Sequence, residues 1–261
     1  MKLQQLPAAR HEESTAQAMS ADEASIRRDL AACYRLVALN SWDDLTATHI
    51  SARLPGAADE FLINPHGLLF EEITASSLVK VNHAGETLAP TPYPINPAGF
   101  VIHSAIHMAR ADAGCVIHLH TRDGMAVSAL EEGLLPLTQQ AILVMSELSF
   151  HDYEGVATDL DERVRLQRDL GQKNLMFLRN HGTLAVGRTV REAFRSIANL
   201  ETACAAQVAA LSMGRPLHFP DPHVAAEADR KFSRDMMAAS AERNWPALLR
   251  KLDRESPGYA D

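Results

Sequence analysis

The stretch Cys115-Val116-Ile117-His118-Leu119-His120-Thr121 decides how this chain is read. It opens after Gly114, runs apolar and β-branched to Leu119, and closes on Thr121, a residue that caps helices. That pattern predicts a buried strand. Side chains two apart in a strand share a face. His118 and His120 therefore point one way, while Ile117 and Leu119 point the other. Two adjacent imidazoles make a clamp for a divalent cation, because histidine is the commonest metal ligand. The same pair can equally be core or surface histidine. A third ligand has to come from a distant segment, and Asn180-His181-Gly182, a turn between two apolar runs, supplies a candidate. Glycine after His181 removes a side chain that would hold the turn away from its neighbours.

Working outward, Ser20 with Glu23 forms a capping box that opens a helix to about Asn40. Residues 46–54, 61–64 and 77–81 read as short strands, with turns at Pro65-His66-Gly67 and over 82–85. Asn96-Pro97 starts a helix through Arg110, since proline at the first helical position loses no hydrogen bond. After Thr121 a helix is predicted to run to Gly133, followed by a short one over 138–147. Asp159 and Glu162 open a helix that Gly171 ends, and 175–178 and 183–186 are strands around the His181 turn. Thr189 and Glu192 cap a long helix to about Met213, with further helices expected over Val224–Arg243 and Pro246–Arg254. Strands alternating with helices imply one layered α/β domain over 21–213. A polar arm (1–20) precedes it and a helical extension (214–261) follows.

Composition narrows the function. Of 261 residues, 46% are apolar, enough for a sizeable core, and the formal charge is −8. No basic run exceeds a pair, which argues against nucleic acid and anionic membrane surfaces as partners. The N-terminal stretch lacks the apolar centre of a secretion signal, and no apolar run approaches the ~18 residues of a membrane span. Cys33, Cys115 and Cys204 show neither a pairing framework nor zinc spacing and read as small hydrophobes. A cytoplasmic location is expected.

Taken together, VIHLHT (116–121) and RNHGTLAVG (179–187) resemble the signature of the class II aldolase/adducin family. LTATHISARLPG (45–56), FLINPHGLLFEEITASSLVKV (61–81), NPAGFVIHSAIHMAR (96–110) and FHDYEG (150–155) are similar to its adducin branch and bacterial relatives. The resemblance covers roughly residues 22–213. It implies a single-domain α/β/α layered fold with a central, mainly antiparallel sheet, and His118, His120 and His181 as ligands of one divalent metal ion. Zinc is the default occupant of such a site, with iron, manganese, cobalt or nickel also suited to it. A homo-oligomer, a tetramer with sites between adjacent subunits, is implied as well. In the family's sugar-phosphate aldolases the metal polarises a carbonyl and a glutamate moves the proton. The glutamate position corresponds here to Gly99. The phosphate-binding positions correspond to His49, His66-Gly67, Pro97 and Ala98, of which only Gly67 keeps the family residue, so a sugar phosphate is not expected.

The remaining candidates are weighed against these departures. His103, one helical turn after Gly99, is a candidate for catalysis or for packing, and His107 lies one turn further. His49 and His66, with Gly67 and Gly99, are expected to line a substrate pocket that lacks its phosphate cradle. Glu147 and Glu71-Glu72 are candidate replacement acids, and His151 and Tyr153 candidate rim residues. Tyr259 is a candidate because a tyrosine near the C-terminus of family aldolases reaches a neighbouring subunit's site. Three functions follow: a metal-dependent lyase of aldolase or decarboxylase type on a small, non-phosphorylated carbonyl or hydroxy compound; a non-catalytic assembly module with a structural metal; or a non-haem iron oxygenase.

Overall fold

The structure, a computed structural model, describes residues 20–56 and 59–261. The expected arm lies outside these residues apart from Ser20. Strands β1 (His49–Arg53), β2 (Glu60–Ile63), β3 (Val79–Asn82), β4 (Cys115–Leu119), β5 (Leu148–His151), β6 (Leu175–Leu178) and β7 (Gly182–Gly187) form one sheet in the order β3-β2-β1-β4-β7-β6-β5. Every neighbouring pair is antiparallel except β5 with β6, which is parallel. The helices are α1 (Ala21–Leu39), α2 (Pro97–Ala109), α3 (Arg122–Ser128), α4 (Gln139–Met145), α5 (Glu162–Leu170), α6 (Val190–Ser212), α7 (Pro222–Lys231) and α8 (Arg234–Glu255). Among the described residues no helix is long and apolar enough to cross a membrane.

Alternation along the strands sorts the core into two layers. Ile50, Cys115, Ile117, Leu119, Phe177 and Ala185 face one cluster that also takes in residues of α1, α3, α4, α6 and α8. Val116, Met176, Leu184 and Val186 face another, completed by Ile102 and Ile106 of α2 and Leu166 and Leu170 of α5. The architecture is α/β/α. His49, Ser51 and His118 lie on the α2 side, where they are buried polar residues on a largely apolar face. The fully buried Tyr34 of α1 pins β1 from the other side. Its hydroxyl donates to the Ile50 carbonyl and accepts from the amides of Ile50 and Asn64, both at 3.0 Å.

Some elements differ from their sequence pattern. The helix after Thr121 stops at Ser128 rather than Gly133. Buried Gln207 of α6 donates to the Gly133 carbonyl at 2.8 Å and accepts from the Leu135 amide at 2.6 Å, drawing this backbone out of helical pairing. Strand β5 lies outside the strands that the sequence pattern predicts; it is an edge strand of four residues, too short to show a period. The C-terminal helices divide at Phe232-Ser233 and not before Pro246, because the Ser233 hydroxyl caps a new helix. Pro246 lies inside α8, where the carbonyl left without a donor belongs to Glu242 on an exposed face that water can serve. Trp245, Leu252 and Tyr259 nevertheless pack into the same cluster as the sheet, and the Trp245 indole donates to Asp29 Oδ1 at 3.0 Å.

Candidate metal centre

His118 sits near the end of β4, fully buried, and His120 follows at the exit of the strand. His181 arrives from the turn between β6 and β7. Asn180 takes the left-handed conformation there (φ 57°), which asparagine tolerates better than most residues. A Cβ on Gly182 would lie 2.2 Å from the Leu119 carbonyl oxygen, so glycine is what lets β7 close onto β4 and carries His181 to His120. The three imidazoles converge: His120 Nε2 is 2.9 Å from His118 Nε2 and 3.0 Å from His181 Nε2.

What these nitrogens carry follows from the atoms behind them. His118 Nδ1 faces the Thr183 carbonyl at 3.0 Å, and His120 Nδ1 faces Asp44 Oδ2 at 3.1 Å. Carbonyl and carboxylate oxygens accept, so both Nδ1 atoms carry the hydrogen and both Nε2 atoms present bare lone pairs. Burial, then the neighbouring histidines, holds His118 well below its ordinary value; burial and then His120 bring His181 down to about 4. Imidazole lone pairs turned toward one another repel unless a cation lies between them. Two nitrogens on a tetrahedral zinc are separated by about 3.3 Å, close to the spacings here. The residues present fit a divalent metal, and these three histidines can hold one. Outer partners of this kind fix the tautomer and orientation of metal-binding imidazoles.

A carboxylate clip binds the two histidine-bearing segments from below. Glu201 of α6 is 3% exposed and accepts from the Thr121 hydroxyl at 2.5 Å and from the Thr183 hydroxyl. Thr121 adjoins His120, and Thr183 holds His118 through its carbonyl. Burial pushes the Glu201 carboxyl up to about 7, against the two hydroxyl donors that favour its charged form. Neither Glu201 nor Asp44 was picked out from sequence. Glu201 had a signal: an acid four residues after Ile197 and three before Cys204, on the apolar stripe of its helix. Asp44 had none.

The other candidates are placed as follows. His49 is buried beside His118, ring centroids 5.0 Å apart, and its ring fills the space next to Gly99. His103 has no exposed surface; its Nε2 is 2.8 Å from His49 Nδ1 and its Nδ1 2.5 Å from Ser51 Oγ. His66 lies in the turn after β2, its amide donating to the Pro94 carbonyl at 2.9 Å, beside Gly67 at φ +103°. Tyr153 is exposed, with its ring 6.3 Å from that of His181, whereas buried His151 faces Asp169 at 2.7 Å. Glu147 pairs with Arg234, and Glu72 accepts from the Leu69 amide. The Tyr259 hydroxyl donates to Asp253 of its own chain at 3.2 Å. A cavity of about 630 Å³ between α4, β7 and the start of α8 includes none of the three histidines in its lining.

Comparison with known proteins agrees with this architecture. Residues 28–208 match the class II aldolase and adducin N-terminal domain. A Caulobacter vibrioides protein that carries the provisional name of a class 2 aldolase is 57% identical over 93% of this chain and 95% of its own. Alpha-adducin of Rattus norvegicus is 47% identical over 74% of this chain, a match confined to 27% of the adducin. Among solved structures, an aldolase II superfamily protein from Pseudomonas syringae superposes with a TM-score of 0.87 at 48% identity, covering 93% of this chain and 98% of that one. L-fuculose 1-phosphate aldolase from Glaciozyma antarctica gives 0.80 at 28%, over 90% and 93%. The seven-stranded sheet, its helical layers and these matches lead to one conclusion: the chain belongs to the class II aldolase and adducin family.

Proposed function

We propose that this protein is a metal-dependent lyase, of aldolase or decarboxylase type, acting on a small carbonyl or hydroxy compound without a phosphate. The observation that carries the reading is the meeting of three Nε2 atoms, two of which, on His118 and His120, are backed by a fixed oxygen acceptor at the opposite nitrogen. His118, His120 and His181 would hold the ion, with zinc the default. The ion's part is to polarise a substrate carbonyl or hydroxyl oxygen as a Lewis acid. The chain's part is to orient the imidazoles, through Thr183 and Asp44, with the Glu201 clip tying Thr121 to Thr183. The positions expected to cradle phosphate hold His49, His66 and Pro97, and Pro97 has no amide to donate, which favours a non-phosphorylated substrate.

The test pairs metal content with turnover. The purified protein should retain about one equivalent of zinc or iron, and His118→Ala should retain none. Cleavage of non-phosphorylated β-hydroxy carbonyl compounds should appear with added metal and vanish in His118→Ala. A protein that holds its ion yet turns over none of them in any metal form overturns the lyase reading.

That result would favour a second reading, a non-catalytic assembly module with a structural metal, which the 47% identity to alpha-adducin supports. In either case we propose a cytoplasmic homotetramer. Three buried free cysteines suit a reducing compartment, and a mass measurement in solution decides the assembly.

A further inference from the structure

Beside the ligand histidines runs a row of buried polar side chains that a cation does not need. His49 of β1 stands directly opposite His118 of β4. His49 Nδ1 is 2.8 Å from His103 Nε2, and His103 Nδ1 is 2.5 Å from Ser51 Oγ. Ser51 Oγ is in turn 2.7 Å from His107 Nε2, and His107 Nδ1 is 3.1 Å from the Ala113 carbonyl oxygen. None of these four side chains is more than 2% exposed.

The last contact orders all the others. A carbonyl only accepts, so His107 Nδ1 carries a hydrogen. Burial, with the nearby Arg53 guanidinium, brings His107 down to about 3, leaving the ring neutral and its Nε2 bare. Ser51 must then give its single hydroxyl hydrogen to His107, so it accepts from His103 Nδ1. His103 Nε2 is bare in consequence and accepts from His49 Nδ1. One backbone carbonyl thus sets the tautomer of a ring four hydrogen bonds away, and His49 is left with its lone pair on Nε2. That atom has no partner among the described residues and is not among the sealed, unpartnered side-chain atoms. A Cβ on Gly99 would lie 2.6 Å from His49 Cδ2 and 3.1 Å from Nε2, so glycine at 99 is what makes room for this ring.

We propose that His49 is a catalytic residue of this centre, whose Nε2 accepts the substrate's hydroxyl proton, with His103, Ser51 and His107 as the positioning residues that fix its tautomer. The inference deepens the lyase reading and rests on it. In cleavage of a β-hydroxy carbonyl compound the hydroxyl proton passes to His49 Nε2. The carbon–carbon bond breaks, its electron pair moving to the carbon next to the carbonyl, and the hydroxyl carbon becomes a new aldehyde or ketone. The same proton then returns from His49 to the carbon next to the original carbonyl, which holds the electron pair, so the ring ends neutral and no co-reactant is consumed.

Two variants and two readouts test this. His49→Asn keeps a donor toward His103 but removes the acceptor at Nε2, while Ser51→Ala interrupts the row and leaves His49 in place. Ring-nitrogen NMR of the metal-free protein with isotope-labelled histidine should show His49 with hydrogen on Nδ1 only, and a mixture of both tautomers in Ser51→Ala. In the zinc-loaded protein His49→Asn should keep its equivalent of metal and its KM while kcat falls on the order of a hundredfold. Ser51→Ala should lower kcat by roughly tenfold with KM unchanged, the mark of a misplaced proton acceptor. Hydrogen on His49 Nε2, loss of zinc in His49→Asn, or an undiminished kcat each overturns the proposal alone. A wild type that cleaves no β-hydroxy carbonyl compound overturns the lyase reading and this assignment with it.

Discussion

Two groups of histidines lie side by side on one face of the sheet and are wired in opposite ways. In the cluster of His118, His120 and His181, a backbone and a carboxylate acceptor hold the outer nitrogens of His118 and His120, so three Nε2 atoms are turned toward one another. In the row from His49 to His107, donors and acceptors alternate, so every contact is satisfied without a cation. Same residue type, same face, different partners: where the oxygen acceptors fall, rather than how many rings there are, separates a cluster that can hold an ion from a hydrogen-bonded row.

The contrast can be broken at its strongest point first. His118→Ala should abolish retention of metal through dialysis, measured by elemental analysis, whereas His107→Ala should leave retention intact. Next comes the clip beneath the cluster. Glu201 lies at about 7 in the folded chain against an ordinary 4.5, so the fold holds its proton more tightly than the unfolded chain does. The resulting stabilisation is complete below pH 4.5 and is lost as pH rises through 7, a change on the order of 3 kcal/mol. Glu201→Gln should flatten that part of the stability–pH curve obtained by urea unfolding. Gly99→Ala should displace His49 and cost about 1–3 kcal/mol in the same unfolding experiment, with zinc affinity unchanged. An effect of similar size concerns an outer partner: Asp44→Ala should weaken zinc binding about 10–100-fold in a competition titration, and Asp44→Asn, which keeps an acceptor oxygen, should weaken it less.

Much of this was legible in the chain. The period of two over Cys115–Leu119 placed His118 and His120 on one face, and Asn-His-Gly marked the turn from which His181 reaches them. Capping residues located the starts of α1, α2 and α6. What sequence could not supply was the depth and pairing of single polar residues. Ser51 reads as any strand serine until β1 pairs with β4 and α2 lays His103 and His107 across it. His49 was expected in the pocket, but not inside a row that fixes its tautomer. The end of α3 was misplaced because Gln207, far along the chain, competes for its backbone.

The pairing of β4 with β7 has one more implication. His120 and His181 are 61 positions apart, so an ion shared between them would fasten a long loop that the unfolded chain leaves open. Binding to the native form alone raises stability by about 2.7 kcal/mol when free ion stands at a hundred times its dissociation constant. The heat at which this protein melts would therefore report how much metal surrounds it, and a cell short of that metal would hold a softer, more perishable version of the same chain.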